Sequence, residues 1–176
     1  MEFIELARKR YSVRGFSNQE IAIKDLESLA VAANLTPSAC NSQPWKVIIV
    51  KRADLVAKVA TTAMATGMNA FLQSAQAFVV ILEVKVKLMR RIGSMIDSQS
   101  FAKQDLGACM YGITLQAASI GLGSCIIGMF DREKIAEALD LDANVSIFGL
   151  VALGYPLNQD VPTKLRKSLA DTASIK

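Results

Sequence analysis

Apolar residues along this chain recur in two rhythms, and each rhythm predicts its own element. Phe3, Ile4, Leu6 and Ala7 have helical spacing, giving a first helix that runs to about Lys9. A second helix opens at Asn18 or Ala22 and shows Leu26, Leu29, Ala30 and Ala33 on one face. Between residues 35 and 44, Pro, Ser, Asn and Gln displace the apolar residues, which reads as an ordered loop. Residues 45–50 are dense in β-formers and predict a strand, and 77–82 predict a second, centrally buried one. A helix over 54–68 separates them. The longest helix covers 101–120, where Leu106, Met110, Ile113, Leu115, Ala117 and Ala118 make it apolar nearly all round. Such a helix fits between a sheet and a partner subunit. Gly121-Leu122-Gly123 stops it, because glycine takes a left-handed cap at no steric cost.

Residues 124–128 return as a short strand, and Asp131 caps a helix through Leu139 with Glu133 in its first turn. A last strand covers 146–153 and ends at Gly154-Tyr155-Pro156. Beyond Pro156 few apolar anchors remain, so this segment is expected to be ordered by a neighbouring chain or a ligand. Helices mixed with separated strands, without regular βαβ alternation, predict an α+β layered fold. No repeat or linker interrupts the pattern, and residues 1–176 read as one domain.

Composition sharpens this picture. Hydrophobic residues make up 52% of the 176 and charged residues 20%, an apolar surplus for a short chain. A large subunit interface absorbs such a surplus, so a homodimer is expected. The net charge of +4 comes without a basic run interleaved with aromatics, which argues against nucleic acid. No apolar stretch is long enough for a membrane span: the one from Ala75 is broken at Gln76 and stops at Glu83. Glu2 and Glu5 do not resemble a secretory signal, and Cys40, Cys109 and Cys125 form no spaced pair. Reduced thiols in the cytoplasm are the expectation. Histidine is absent, which removes every imidazole base and most zinc sites, and no metal is expected. No GxSxG, Walker or GxGxxG motif is present either. An enzyme built this way needs a bound organic cofactor for its chemistry.

Two basic clusters stand out: Arg10-Tyr11-Ser12-Val13-Arg14-Gly15-Phe16 near the start and Lys164-Leu165-Arg166 near the end. Guanidinium and hydroxyl donors with a lysine point charge suit a phosphate. Each cluster alone also suits a solvated surface. The stretch with Lys85, Lys87, Arg90 and Arg91 fits a solvated face better than a lid over an anionic substrate.

Arg-x-Ser-x-Arg-x-Phe at 10–16 resembles the opening motif of the nitroreductase family of FMN-dependent flavoproteins. The segment Pro37-Ser38-Ala39-Cys40-Asn41-Ser42-Gln43-Pro44-Trp45 is similar to the family's Pro-Ser-x-x-Asn-x-Gln-Pro-Trp along its full length. Gly121-Leu122-Gly123-Ser124-Cys125, Leu153-Gly154-Tyr155-Pro156 and Lys164-x-Arg166 recur in the same order, so the resemblance spans essentially the whole chain.

It implies an intertwined homodimer on a central, mostly antiparallel sheet flanked by helices, with FMN at two interfacial sites and NADH or NADPH as electron donor. Arg10, Tyr11 and Ser12, with Lys164 and Arg166, would hold the cofactor and its phosphate. Arg14 would stabilise the anionic N1/O2 edge of reduced flavin. Pro37, Ser38, Asn41 and Gln43 would reach the cofactor from the other subunit. Asn69 would bond the flavin pyrimidine, although a capping role after Gly67 also fits. Ile127 and Gly128 would line the ring, with the Gly128 N–H facing N5; a tight turn is the plainer reading of that glycine.

The implied reaction is a ping-pong transfer of hydride through N5 to nitroaromatic, quinone or similar small oxidised acceptors. Another flavin enzyme on the same scaffold (a flavin reductase, enone reductase or dehalogenase), or a non-catalytic flavin-binding protein, would carry the same motifs. Trp45, Cys40 and Cys125 read as packing residues. Leu72 stands where some members place a lysine, and Ile126 where a tryptophan is common. The span between Val84 and Phe101 is also too brief for the helical excursion some members use.

Overall fold

The seven residues Ala77–Glu83 explain the layering of this molecule. Six of the seven are buried, so both faces of the strand they form must be covered. Phe78, Val80 and Leu82 enter one apolar cluster, while Ala77, Val79 and Ile81 enter another on the opposite face. The period-two alternation of strand side chains accounts for this division.

The computed structural model describes residues 2–65, 67–85, 98–142 and 144–176. Its strands are β1 (Trp45–Val50), β2 (Ala77–Glu83), β3 (Gly123–Ile127) and β4 (Ser146–Gly154). They form one antiparallel sheet in the order β1-β2-β4-β3. Trp45 lies opposite Glu83, Ala77 opposite Leu153 and Gly123 opposite Gly154, with one register shift between Ile81 and Leu82. The helices are α1 (Phe3–Lys9), α2 (Ile23–Asn34), α3 (Ala53–Met64), α4 (Ser98–Ser119), α5 (Arg132–Ala138) and α6 (Leu169–Thr172). Two 3-10 turns, Ala39–Asn41 and Ala70–Ser74, complete the described elements. The layered α+β architecture is therefore as expected.

On one face α3 and α5 bring Val56, Val59, Ala60, Ala63, Ile135 and Ala136 against the sheet. On the other, α2 contributes Leu26, Leu29 and Ala33, and α4 contributes Leu106, Cys109, Met110, Ile113 and Ala117. Each large side chain removed from water here stabilises the fold by about 1.5–3 kcal/mol. α2 and α4 are also joined through Gln116 Nε2, which donates to Ser28 Oγ at 3.1 Å.

Within one chain the helix α4 is covered on one side and left open on the other. Phe101, Gln104, Ala108 and Tyr111 form an exposed stripe at helical spacing, with Phe101 37% and Tyr111 43% accessible. Its end follows the sequence: Gly121 has φ +84°, and Leu122 N–H donates to the Ala117 carbonyl at 2.8 Å. Asp131 caps α5 as expected, its Oδ1 accepting from Lys134 N–H at 3.1 Å. Trp45 packs as expected, half-buried against the rim of the α2–α4 cluster. Two expectations need correction. α3 stops at Met64 rather than near 68, because the chain turns at Gly67 (φ +77°), whose N–H bonds the Met64 carbonyl at 2.9 Å. Cys40 is exposed with φ 53°, so it is not a packing residue, whereas Cys125 is buried.

Residues 10–16 form a strap across the sheet's glycine-lined end. Val13 N–H donates to the Ser124 carbonyl at 3.0 Å, and Phe16 forms a bridge with Pro156. A Cβ added to Gly123 would fall 2.8 Å from Val13 Cγ2, and one on Gly154 would fall 2.7 Å from Phe16 Cβ. The strap lies that close because those two facing positions carry no side chain.

Candidate functional site

Val13 and Phe16 anchor the strap inward, and the intervening Arg14 is left exposed. At the strap's start, Arg10 meets the two basic residues from the far end of the sequence. A recess of about 300 Å³ is lined by Arg8, Arg10, Lys164 and Arg166 together with Ile4, Ala7 and Tyr111. Lys164 is placed by its Nζ, which donates to the Ala7 carbonyl in the last turn of α1. Helix carbonyls at that end lack intrahelical partners and accept a cation readily.

Burial holds the Lys164 ammonium below its ordinary value of 10.5, and repulsion from Arg10 and Arg166 adds to the shift. Among the described residues, the ion pairs are Lys51–Glu20, Arg52–Asp54 and Lys134–Asp131, and none involves this cluster. Cations gathered against their mutual repulsion, with no carboxylate between them, are arranged for an external anion. A groove of about 350 Å³ between α3 and the Ala70–Ser74 turn offers no such excess. Its Lys51 is already paired to Glu20 at 2.9 Å.

Ser12 does not line the basic recess. It bridges to Ser124, and its hydroxyl meets the Cys125 thiol. Burial raises that thiol's pKa, and Arg14, Arg10 and the Ser12 hydrogen bond oppose the rise. Arg10, Ser12 and Arg14 therefore converge on the start of β3. Tyr11 packs its ring against the α3–α5 side of the core and donates its hydroxyl to the Asn158 carbonyl at 3.2 Å.

The other end of β3 carries Gly128, which is exposed, with no atom within 4 Å of where a Cβ would project. Asn69 sits in the left-handed region at φ 64° and donates Nδ2 to the Met129 carbonyl at 3.5 Å. The two residues are thus brought together. Asn69 precedes the Ala70–Ser74 turn but makes no side-chain cap bond, so the capping alternative fails. Ile127 is 3% accessible and its side chain belongs to the core, leaving only its backbone to face a ligand. Leu72 is fully buried and Ile126 is 44% exposed. Lys85 is exposed; Lys87, Arg90 and Arg91 lie outside the described residues.

Pro37, Ser38, Asn41 and Gln43 form a separate group docked on α4. Ser38 Oγ accepts from Gln43 N–H at 2.9 Å, Gln43 Nε2 donates to the Asn41 carbonyl at 2.9 Å, and Asp105 Oδ2 accepts from Ala39 N–H at 3.1 Å. Pro37, Asn41 and Gln43 are exposed. None of the four lines the basic recess. Sequence reasoning missed Arg8, although it belongs to the same basic run as Arg10. It also missed Asp105, which no local pattern marks.

An antiparallel sheet packed on both faces by helices, with a recess lined by cations at one end and an exposed glycine at the other, defines an α+β protein with an open basic cluster. The chain belongs to the nitroreductase family, whose model matches residues 7–155. It is 31% identical to a candidate NADH dehydrogenase/NAD(P)H nitroreductase of Archaeoglobus fulgidus, over 90% of this chain and 87% of that protein. It is 28% identical to an oxygen-insensitive NADPH nitroreductase of Helicobacter pylori J99, over 95% of this chain and 93% of the relative. Among solved structures, a candidate nitroreductase of Exiguobacterium sibiricum, crystallised in complex with FMN, superposes with a TM-score of 0.83. That match covers 100% of this chain and 98% of the other at 20% identity, a likeness of fold.

Proposed function

We propose that the protein is an FMN-dependent oxidoreductase, acting as a homodimer of single-domain chains. The observation that carries this reading is the set of unpaired cations around one recess: Arg10, Lys164 and Arg166, with Arg8 beside them. A phosphate monoester fits that donor set, since each charge-assisted bond contributes about 1.5–3 kcal/mol. Ser12 and Tyr11 support the adjoining part of the cofactor through the strap. FMN bound there would supply the redox chemistry, taking hydride from NADH or NADPH at N5 and passing it, ping-pong fashion, to a nitroaromatic, quinone or similar small acceptor.

The chain's own contributions are positional and electrostatic. Gly128 is exposed, and its N–H would serve as a non-titrating donor at N5. Asn69 stands beside it and offers its amide to the pyrimidine edge. Arg14 supplies fixed positive charge where the ring becomes electron-rich, a contribution in place before reaction begins. Pro37, Ser38, Asn41 and Gln43 complete the site from the second chain. Met68 and Met129, 52% and 57% exposed, give that end apolar walls suited to a flat ring. With no histidine in the chain, protons come from solvent.

The exposed stripe of α4 and the exposed Phe3 and Ile4 of α1 support a dimer interface. All three cysteines are free, and among the described residues no helix is long and apolar enough to cross a membrane, in keeping with a cytoplasmic site of action. The deciding experiment is a visible spectrum and FMN titration of purified protein, followed by anaerobic addition of NADH or NADPH. Yellow protein that bleaches on addition supports the reading. Colourless protein that takes up no FMN ends it, and bound FMN that does not bleach leaves a flavin-binding protein without turnover.

A further inference from the structure

The loop from Thr36 to Gln43 holds a conformation that its own residues disfavour. Cys40, Asn41 and Gln43 have φ values of 53°, 52° and 46°. None is glycine, and of the three only asparagine visits this region with ease. Something outside the loop must fix it. The 3-10 turn Ala39–Asn41 opens without a local cap, because Ser38 makes no capping bond. Ser38 Oγ accepts from Gln43 N–H at 2.9 Å instead. The amide at the head of the turn, Ala39 N–H, is taken by Asp105 Oδ2 from α4 at 3.1 Å. This carboxylate caps the turn from 66 residues away and leaves the Ser38 hydroxyl for the second bond. Thr36 docks one helical turn further along α4. Its hydroxyl meets the Cys109 thiol and lies 3.3 Å from where a Cβ on Gly112 would project.

We propose that Asp105 is a positioning residue for cofactor binding: by capping the Ala39–Asn41 turn from α4, it presents Ser38, Asn41 and Gln43 to the FMN held by the other subunit's basic recess. This inference rests on the reading given under Proposed function. It assigns the two parts of each site to different chains, a basic recess on one and an Asp105-held loop on the other. The carboxylate acts as an acceptor, so an amide oxygen at the same place does the same work.

The test uses full-length protein and FMN titration followed by fluorescence. Asp105→Ala is expected to weaken FMN binding by about tenfold or more, the loss of one bond to a charged acceptor. Asp105→Asn should bind within about threefold of the unaltered protein, because its Oδ1 still accepts. Mixed dimers supply a readout that general destabilisation does not mimic. Chains carrying Arg10→Ala with Lys164→Ala are co-expressed, under a different tag, with Asp105→Ala chains, and the mixed dimer is purified through both tags. One of its two sites then combines an intact recess with an intact loop, so one tight FMN per mixed dimer is expected. Unchanged affinity in Asp105→Ala, equal losses in the Ala and Asn variants, or no tight site in the mixed dimer each overturn the proposal. Failure of the unaltered protein to bind FMN at all instead overturns the functional reading beneath it.

Discussion

Two segments offer polar groups at the flanks of the sheet, and they are held in opposite ways. The loop over 36–43 is closed by bonds within itself and to Asp105. The chain beyond Pro156 is fastened at isolated points: Leu157 N–H to the Gly15 carbonyl, Tyr11 hydroxyl to the Asn158 carbonyl, and Lys164 to Ala7. Beyond the last of those points its apolar residues are bare, with Leu165 89% and Leu169 79% exposed. The contrast locates the ordering cost. For the loop it is met during folding, while under the proposed function much of the tail's cost would fall when FMN or a second chain binds.

Breaking the tail's charge contacts should have the largest effect. Arg10→Ala combined with Lys164→Ala is expected to lower FMN affinity at least about 100-fold, from two charge-assisted contacts. Unchanged affinity in a fluorescence titration would remove the phosphate assignment. Next comes the cover over the tail's apolar side chains. Leu165→Glu with Leu169→Glu should raise the dimer dissociation constant by roughly 100-fold, if each leucine contributes its usual 1.5–3 kcal/mol at the interface. Analytical ultracentrifugation that finds no shift toward single chains would place those leucines outside it.

Ser38→Ala tests the loop without touching any charge. It removes the acceptor for Gln43 N–H and should cost about 1 kcal/mol in urea denaturation of the FMN-free protein. A loop ordered only by ligand would show no change.

The smallest effect concerns pH. Burial, the first cause, pushes the Cys109 thiol up to about 11 from 9.0, against a smaller opposing hydrogen bond from Thr36. Its contribution to stability is complete below pH 9 and falls as pH rises towards 11, because the unfolded chain loses its proton first. Lys164 acts in the other sense. Its folded value lies below 10.5, so stability rises with pH from that lowered value up to 10.5. Thermal melts of Cys109→Ala should fall less steeply across the alkaline range than those of the unaltered protein, with the smaller fall from buried Cys125 remaining. In the same range iodoacetamide should label exposed Cys40 well before Cys109 or Cys125.

Much of the fold was legible because burial imposes a period. The strand at 45–50 was read to the residue, and β2 lost only Glu83, since continuous apolar runs between turn residues have few other solutions. The end of α3 was misplaced because Gly67 turns the chain while Met68 prolongs the apolar rhythm. The Ala70–Ser74 turn went unread, being too short for periodicity to mark. At the site, motif order grouped Arg10, Ser12, Lys164 and Arg166, and all but Ser12 line one recess. It could not reveal that Ile127 turns its side chain into the core, nor that Cys40 lies in the open. Asp105 was invisible for a deeper reason: its significance comes from a backbone amide far away in sequence, which no pattern of side chains encodes.

The bare pair Gly123 and Gly154 has a reach beyond its own strands. A single methyl at either place would lift the strap by its hydrophobic pegs, Val13 and Phe16, and swing the guanidinium of Arg14 between them. Where a long surface cation can sit is thereby decided by two hydrogen atoms inside the sheet. The smallest groups in the molecule set the limit that one of its longest side chains inherits.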